Sequence, residues 1–271
     1  MEDYNKRISQ YRDDAEKVKQ SFGAAEFTSF LESRSPQLQK FSLKYIIDTI
    51  QQSESHHKLW MILAKAQAYR EAGFLSENKG LVTYQKYIPE VEQSLRETVE
   101  AACSCISICM KFGAALEAPD ALGKTPLISS LRLRNDAITL RLLEHGANPN
   151  HNVTIPALPP FEYKLVTSPL VEAASVHYTS FRSIDAILDY GGDPNFISYY
   201  ISKDHKKIIG NKAINWIIYK YIINFEFQNE DDSREHARVK DKLISSTKNA
   251  YFEIIKNFLR GGVGIKIGQL R

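Results

Sequence analysis

Cysteine is scarce in this chain and crowded where it occurs: its three copies are Cys103, Cys105 and Cys109. So local a set cannot make the disulfide framework of a small secreted domain, and it points to a reducing cytosol as the working compartment. Charge of one sign is lacking too. Thirty-five Lys and Arg against 32 Asp and Glu leave a formal +3, too little to mark a nucleic-acid partner. No apolar run approaches the roughly 20 residues that cross a bilayer, so no helical membrane span is expected. The first residues, MEDYNKRISQYRDDAEK, are charged throughout, which predicts no secretory signal peptide. Common catalytic signatures are missing as well. There is no Gly-x₄-Gly-Lys-Ser/Thr loop, no Gly-x-Ser-x-Gly elbow and no His-Glu-x-x-His.

What is present is an ordinary globular profile, 43% hydrophobic and 25% charged over 271 residues, enough for one large domain or two modest ones. Residues 1–118 are rich in helix formers. A charged segment near Asp3–Gln20 and a second segment near Ala24–Glu32 read as helices, and Ser35-Pro36 reads as an N-cap with proline at the first helical position. Leu38, Phe41, Tyr45 and Ile46 then recur at spacings of three and four, which predicts one helix face. Leu59, Ile62, Leu63, Ala66 and Tyr69 repeat the pattern before Gly73 and SENKG (76–80), and Val91–Phe112 is predicted helical again. The sum is a set of packed antiparallel helices over 1–118.

From residue 119 the chain repeats itself. Gly-Lys-Thr125-Pro-Leu opens a stretch that closes in LLEHGANPN (142–150), with Thr125 placed 21 residues before Gly146. SPLVEAA (from Ser168) and ILDYGGDPN (187–195) say nearly the same. Each opening supplies a cap and a proline where no intrahelical bond is forfeited. Each closing glycine suits a left-handed helix stop, and the following Asn or Asp suits a turn. A worn copy precedes these, CMKFGAALE (109–117), whose Gly113 stands at the interval before Thr125 that a ~33-residue period requires. A stretched copy follows, GNKAINWII (210–218) and FLRGGVGIK (258–266).

This pattern resembles the ankyrin repeat, a ~33-residue β-turn and two helices with a Thr-Pro-Leu opening. Ala173-Ala174 matches the family's pair of small packing residues, whereas the first copy carries Ser130 and Leu131. The resemblance implies an all-α fold: an N-terminal helical domain (1–89) packed against a short, degenerate solenoid (90–271). Within the latter, about 90–118 is degenerate, 119–151 and 163–196 are clear, and 208–271 is stretched by a charged insertion (224–250). A solenoid binds along its concave side. The resemblance therefore implies partner-binding residues at turn tips and first helices: Leu122, Lys124, Arg132, Leu133 and His145 in the first clear copy, then Val176 and Tyr190 in the second. Tyr219 and Lys220 follow in the stretched copy.

Two fingers depart from the period. HNVTIPALPPFEYKLVT (151–167) and FISYYISKDHKKIIG (196–210) are each about nine or ten residues too long, and both mix aromatic with β-branched residues. Long loops in compact domains often carry function, so Phe161, Tyr163, Lys164, Tyr199 and Tyr200 join the candidate interface. The competing reading has Pro156, Pro159 and Pro160 stiffening a loop folded on its own repeat.

Other chemistry is thinner. Cys-x-Cys-x₃-Cys lacks a fourth zinc ligand, and buried packing is the plainer role for such thiols. His56-His57 in SESHHK is expected at a helix junction in a solvated turn, and KDHKK (203–207) on a solvated loop. No catalytic, cofactor or metal residue is assigned. The functional expectation is a non-catalytic protein–protein interaction module, with another protein as partner. Few, degenerate repeats beside an unfamiliar helical domain are similar to ankyrin-containing type IV secreted effectors of intracellular bacteria, the Legionella type. That likeness implies a host protein as partner and delivery into the host cytosol. The alternatives are a eukaryotic cytosolic adaptor, or a cysteine-dependent enzyme with its site between helical domain and repeats. A role for the helical domain in oligomerisation is a third.

Overall fold

The computed structural model describes residues 2–71, 88–157, 163–175, 181–217, 238–239 and 241–242. Expectations for Gly73, SENKG, Pro159, Pro160, Phe161, Val176, Tyr219, Lys220, FLRGGVGIK and most of the 224–250 insertion lie outside the described residues. The chain divides into two compact units, one of residues 1–120 and 137–147, the other of 121–136 and 148–271. Residues 89 and 90 both fall inside the first.

The first unit is helical. Helices α1 (Glu2–Ser21), α2 (Ala24–Glu32), α3 (Pro36–Gln39), α4 (Ser42–Glu71) and α5 (Ile88–Lys111) follow in order, and α5 packs against α1, α2 and α4. Phe27, Leu31, Leu43, Ile46, Ile50 and Ile106 fill the core. Ser35 stands at the N-cap of α3 with Pro36 behind it, but its side chain makes no capping bond. The chain bends at Lys40 and Phe41. The periodicity of Leu38, Phe41, Tyr45 and Ile46 therefore runs across a helix break, and the four do not share a buried face. Ile46 is buried, whereas Leu38, Phe41 and Tyr45 are exposed. In α4, Leu59 and Ile62 are exposed as well.

His56 and His57 correct another expectation, because they lie inside α4 and not at a junction. Within this polar run the Ser53 and Ser55 hydroxyls donate to the carbonyls of Thr49 and Gln51 one turn back, at 3.0 and 2.9 Å, the partners open to serine inside a helix.

The second unit holds α6 (Pro126–Leu133), strands β1 (Val153–Pro156) and β2 (Lys164–Thr167), α8 (Pro169–Ala174), α9 (Phe181–Asp189), β3 (Tyr199–Ile201) and β4 (Lys207–Ile209), with α7 (Asp136–Glu144) assigned mostly to the first unit. The two helix openings match. Thr125 Oγ1 accepts from the Ile128 amide at 3.4 Å and Ser168 Oγ from the Val171 amide at 3.3 Å, each with proline next in line. Helix α8 packs between α6 and α9, and Ala173 and Ala174 are fully buried at that contact.

Three helices end alike on a glycine, and α6 closes the same way on Arg134, with φ 58°. The amides of Gly113 and Ala114 donate to Met110 and Cys109. Those of Gly146 and Ala147 donate to Leu143 and Leu142, and those of Gly191 and Gly192 to Leu188 and Ile187. All three closing glycines have positive φ, 78°, 93° and 85°. This double bond is the Schellman closure, and the left-handed residue it needs is cheap only for glycine. The next turns also match. The Asn148 carboxamide accepts from the Asn150 amide at 2.9 Å, and the Asp193 carboxylate from the Asn195 amide at 2.8 Å.

The fold is mainly α, with one correction to the all-α expectation. Both long fingers are β-hairpins, and they join into a four-stranded antiparallel sheet of order β1-β2-β3-β4. Their β-branched and aromatic residues favour extended backbone, and β1 alternates buried and exposed. Gly123 lets the first finger approach, since a Cβ there would stand 2.4 Å from the Thr154 carbonyl oxygen.

Candidate functional site

The finger sheet sorts the candidate residues by register. Leu165 lies opposite both Ile155 and Tyr200, and Val166 opposite both Thr154 and Tyr199. Directly opposed residues share a face, and neighbours along a strand alternate. Tyr163, Leu165 and Tyr200 therefore stand on one face. Lys164, Val166 and Tyr199 stand on the other. On the first face the rings of Tyr163 and Tyr200 meet edge to face, centroids 5.1 Å apart, a geometry the aromatic quadrupole favours. Tyr163 is 38% exposed. On the second face the Lys207 ammonium sits 3.8 Å from the centre of the Tyr199 ring. The tip of the second hairpin closes through Ser202, whose hydroxyl accepts from the Lys206 amide at 3.1 Å, with His205 in the left-handed region. Residues 203–207 are exposed, as expected for KDHKK.

The turn and helix candidates divide further. Leu122, in the turn before α6, is 46% exposed, and Tyr190, at the end of α9, is 44% exposed. Lys124 and Leu133 are half-buried, and Lys164 is exposed. Arg132 is occupied. Its Nε donates to Glu172 Oε2 at 3.0 Å, joining α6 to α8, and Glu172 is almost wholly buried. His145 is tethered rather than projecting. It is half-buried, and its Nε2 lies 2.9 Å from Ser107 Oγ on α5. Lys207, expected only as part of the solvated KDHKK loop, sits over Tyr199, and the exposed Ile197 is not among the candidates. No local pattern marks either, since FISYYISKDHKKII does not alternate apolar with polar residues.

The charged insertion also meets this unit. It was expected to be solvated, yet Val239 is fully buried. Lys242 binds Asp185 at 2.7 Å and also Asp189, while Arg238 binds Asp185. Burial works to raise the Asp185 pKa, but hydrogen bonds from Lys242 and Arg238 outweigh it and hold the carboxyl below its usual range.

The thiols are poorly placed for nucleophilic chemistry. All three are buried. Burial pushes Cys103 and Cys109 up to about 11 and Cys105 to about 12. Cys105 Sγ donates to the Phe22 carbonyl at 3.0 Å. A reactive cysteine needs the reverse, an accessible thiol with a lowered pKa. Among the described residues no group of three or more His, Cys, Asp or Glu is arranged to hold a metal ion, and no helix is long and apolar enough to cross a membrane.

No protein-family model matches this chain, and no curated protein matches it in sequence.

Proposed function

We propose that this chain is an ankyrin-repeat protein that works by binding another protein, without catalysis, and that the finger sheet is its principal contact. Two sets of observations support the repeat reading: the matched caps at Thr125 and Ser168, and the matched closures at Gly113, Gly146 and Gly191. Asn150 adds to them by bridging successive turns. It donates to the Gly191 carbonyl at 2.9 Å and accepts from the Asp193 amide at 2.6 Å. A surface that can bind is the separate matter, and the observation that carries it is the Tyr163–Tyr200 pair. Tyrosine offers large, stiff, amphipathic contact area and is enriched among residues that dominate binding energy. The exposed Leu122 and Tyr190 extend the candidate surface at the turns. In this reading the setting is that of a bacterial effector acting on a host protein, with a eukaryotic cytosolic adaptor as the competing setting.

The test is capture of a partner by the full chain from cell lysate, compared between the native protein and a Tyr163→Ser, Tyr200→Ser, Tyr190→Ser triple variant. Tyrosines at the centre of an interface cost about 2 kcal/mol or more each when truncated, so capture should fall by well over tenfold. Thermal unfolding should move little, since Tyr163 and Tyr190 are exposed and half-buried Tyr200 gives up mainly its ring contact with Tyr163, about 1 kcal/mol. Undiminished capture would remove the finger sheet from the interface.

A further inference from the structure

The first unit contains a cleft of about 180 Å³ between α1, α4 and α5. Its walls come from one stripe of each helix. Tyr11, Asp14, Ala15 and Val18 follow helical spacing on α1, and Thr49, Gln52, Ser53 and His56 follow it on α4. In a helix bundle such inward stripes normally carry large apolar residues. Helix α4 does so at Ile46 and Ile50, both buried. One turn further on, the wall is hydroxyl, carboxamide and imidazole. The cleft exists because small polar side chains stand where leucines would fill the space.

The polar groups are unequal in kind. The hydroxyls of Thr49, Ser53 and Thr98 donate to the carbonyls of Tyr45, Thr49 and Ser94, at 2.8, 3.0 and 2.9 Å. Their protons are committed, so what each presents to the cleft is an oxygen lone pair. Ser94 is engaged with the Tyr11 phenol. Asp14 adds a carboxylate, whose Oδ1 accepts from Gln10 at 3.0 Å and lies 3.6 Å from the exposed Lys17 ammonium outside the cleft, and neither Lys nor Arg lines the space itself. The rest of the lining is ring and aliphatic surface. The Tyr11 and His56 rings meet edge to face, 5.4 Å between centroids, and Val18 and Leu95 face the same space.

An acceptor-rich, anionic cleft with aromatic walls favours a ligand that is flat, donor-rich and cationic. We infer that this cleft between α1, α4 and α5 is a binding site for a small aromatic or heterocyclic amine, its ammonium directed to Asp14 and its ring held by Tyr11, Val18 and Leu95. The size agrees, since a cavity of ~150 Å³ accommodates benzene. The site lies apart from the finger sheet in sequence and in residues, so it stands or falls independently of the proposed partner binding.

Benzylamine is the probe, with benzoate and ethylbenzene as anionic and neutral counterparts, all titrated into the full chain. A Kd on the order of 1 mM suits a ligand of this size. Benzylamine should raise Tm saturably and shift the ring resonances of Tyr11 and His56, while benzoate should do neither. Ethylbenzene should bind at least fivefold more weakly. Asp14→Asn should weaken benzylamine at least fivefold with Tm unchanged, because Asp14 is half-exposed. Ala15→Leu, which fills the cleft, should abolish binding. Equal responses to benzylamine and benzoate, full affinity in Asp14→Asn, or no saturable response up to roughly 10 mM would overturn the assignment. The last result would mean that the cleft holds water alone.

Discussion

At Glu172 one carboxylate is buried on α8 with Arg132 of α6 as its ion-pair partner, and the two ends of the pair are unequally exposed. The glutamate side chain is 5% exposed and the arginine 26%. Removing the more exposed partner should therefore do more harm, because it strands a buried charge. Arg132→Ala should cost about 3 kcal/mol. Glu172→Gln, which keeps an acceptor for the guanidinium, should cost about 1 kcal/mol. Urea unfolding of the two variants checks the order. The resemblance placed Arg132 on a binding surface because it counted positions along one repeat. Its actual partner lies 40 residues away, a distance no local pattern encodes. The cysteines were more legible, since small, packed thiols were the plain reading of their crowding. Their raised pKa values give a second prediction at this scale. Labelling near neutral pH should be slow for the folded chain and fast in urea. In alkali the sign is set by the unfolded thiol, which loses its proton near its ordinary value of 9.0 while the folded thiols hold theirs to about 11 or 12. The stability these thiols contribute is intact below pH 9 and drains away as pH rises through that window.

Single elements were read well where a cap or a stop is local, and poorly where an element depends on what it pairs with. Thr125, Ser168, Gly146 and Gly191 announce helix ends because the bonds they make reach only a few residues. The four strands announce themselves less, since a strand's partner is remote. The extra length of each finger and its β-branched and aromatic content are visible in the sequence, but the pairing of β2 with β3 joins segments over 30 residues apart. The bend at Lys40–Phe41 misled the periodicity for the opposite reason, as the count carried on through a break. Asn150 gives the sharpest test at this scale. Its carboxamide both donates and accepts across to the next turn. Asn150→Asp keeps the acceptor and loses the donor, so it should retain part of the stability that Asn150→Ala loses, a difference of about 1 kcal/mol. Thermal unfolding in parallel checks it. The helical residues around Val239 make a second case. Asp185 has a lowered pKa, so the attachment it provides is present above the ordinary carboxyl value of about 4 and is lost as pH falls through the lower folded value. Amide exchange at Val239 should accelerate over that acid range, and also with Asp185→Asn at neutral pH. Partly exposed ion pairs weaken in salt, so high salt should accelerate it too.

For the whole molecule, the division into units does not follow the order of the chain. The backbone leaves the first unit after residue 120, returns for 137–147, and leaves again. Sequence reading drew one boundary, at 89/90, where the repeat resemblance begins, because a repeat pattern reports what a segment is made of and not what it is buried against. The returning segment matters to the first unit. Ile138, Leu142 and Leu143 are fully buried, and His145 ties the turn after them to Ser107 on α5. A fragment of residues 1–120 lacks all of these and leaves the α5 surface around Cys103, which the full chain sets beside Arg141 and Glu144, in water. Losing three buried aliphatic side chains removes about 5 kcal/mol or more of apolar burial, comparable with the entire stability of many domains. The fragment should therefore unfold at lower urea than the same residues in the full chain, and its Cys103 should label quickly at neutral pH. Residues 1–147 should restore both the protection of Cys103 and a cooperative transition. Equal protection of Cys103 in the two fragments would mean that the first unit is complete without the returning helix.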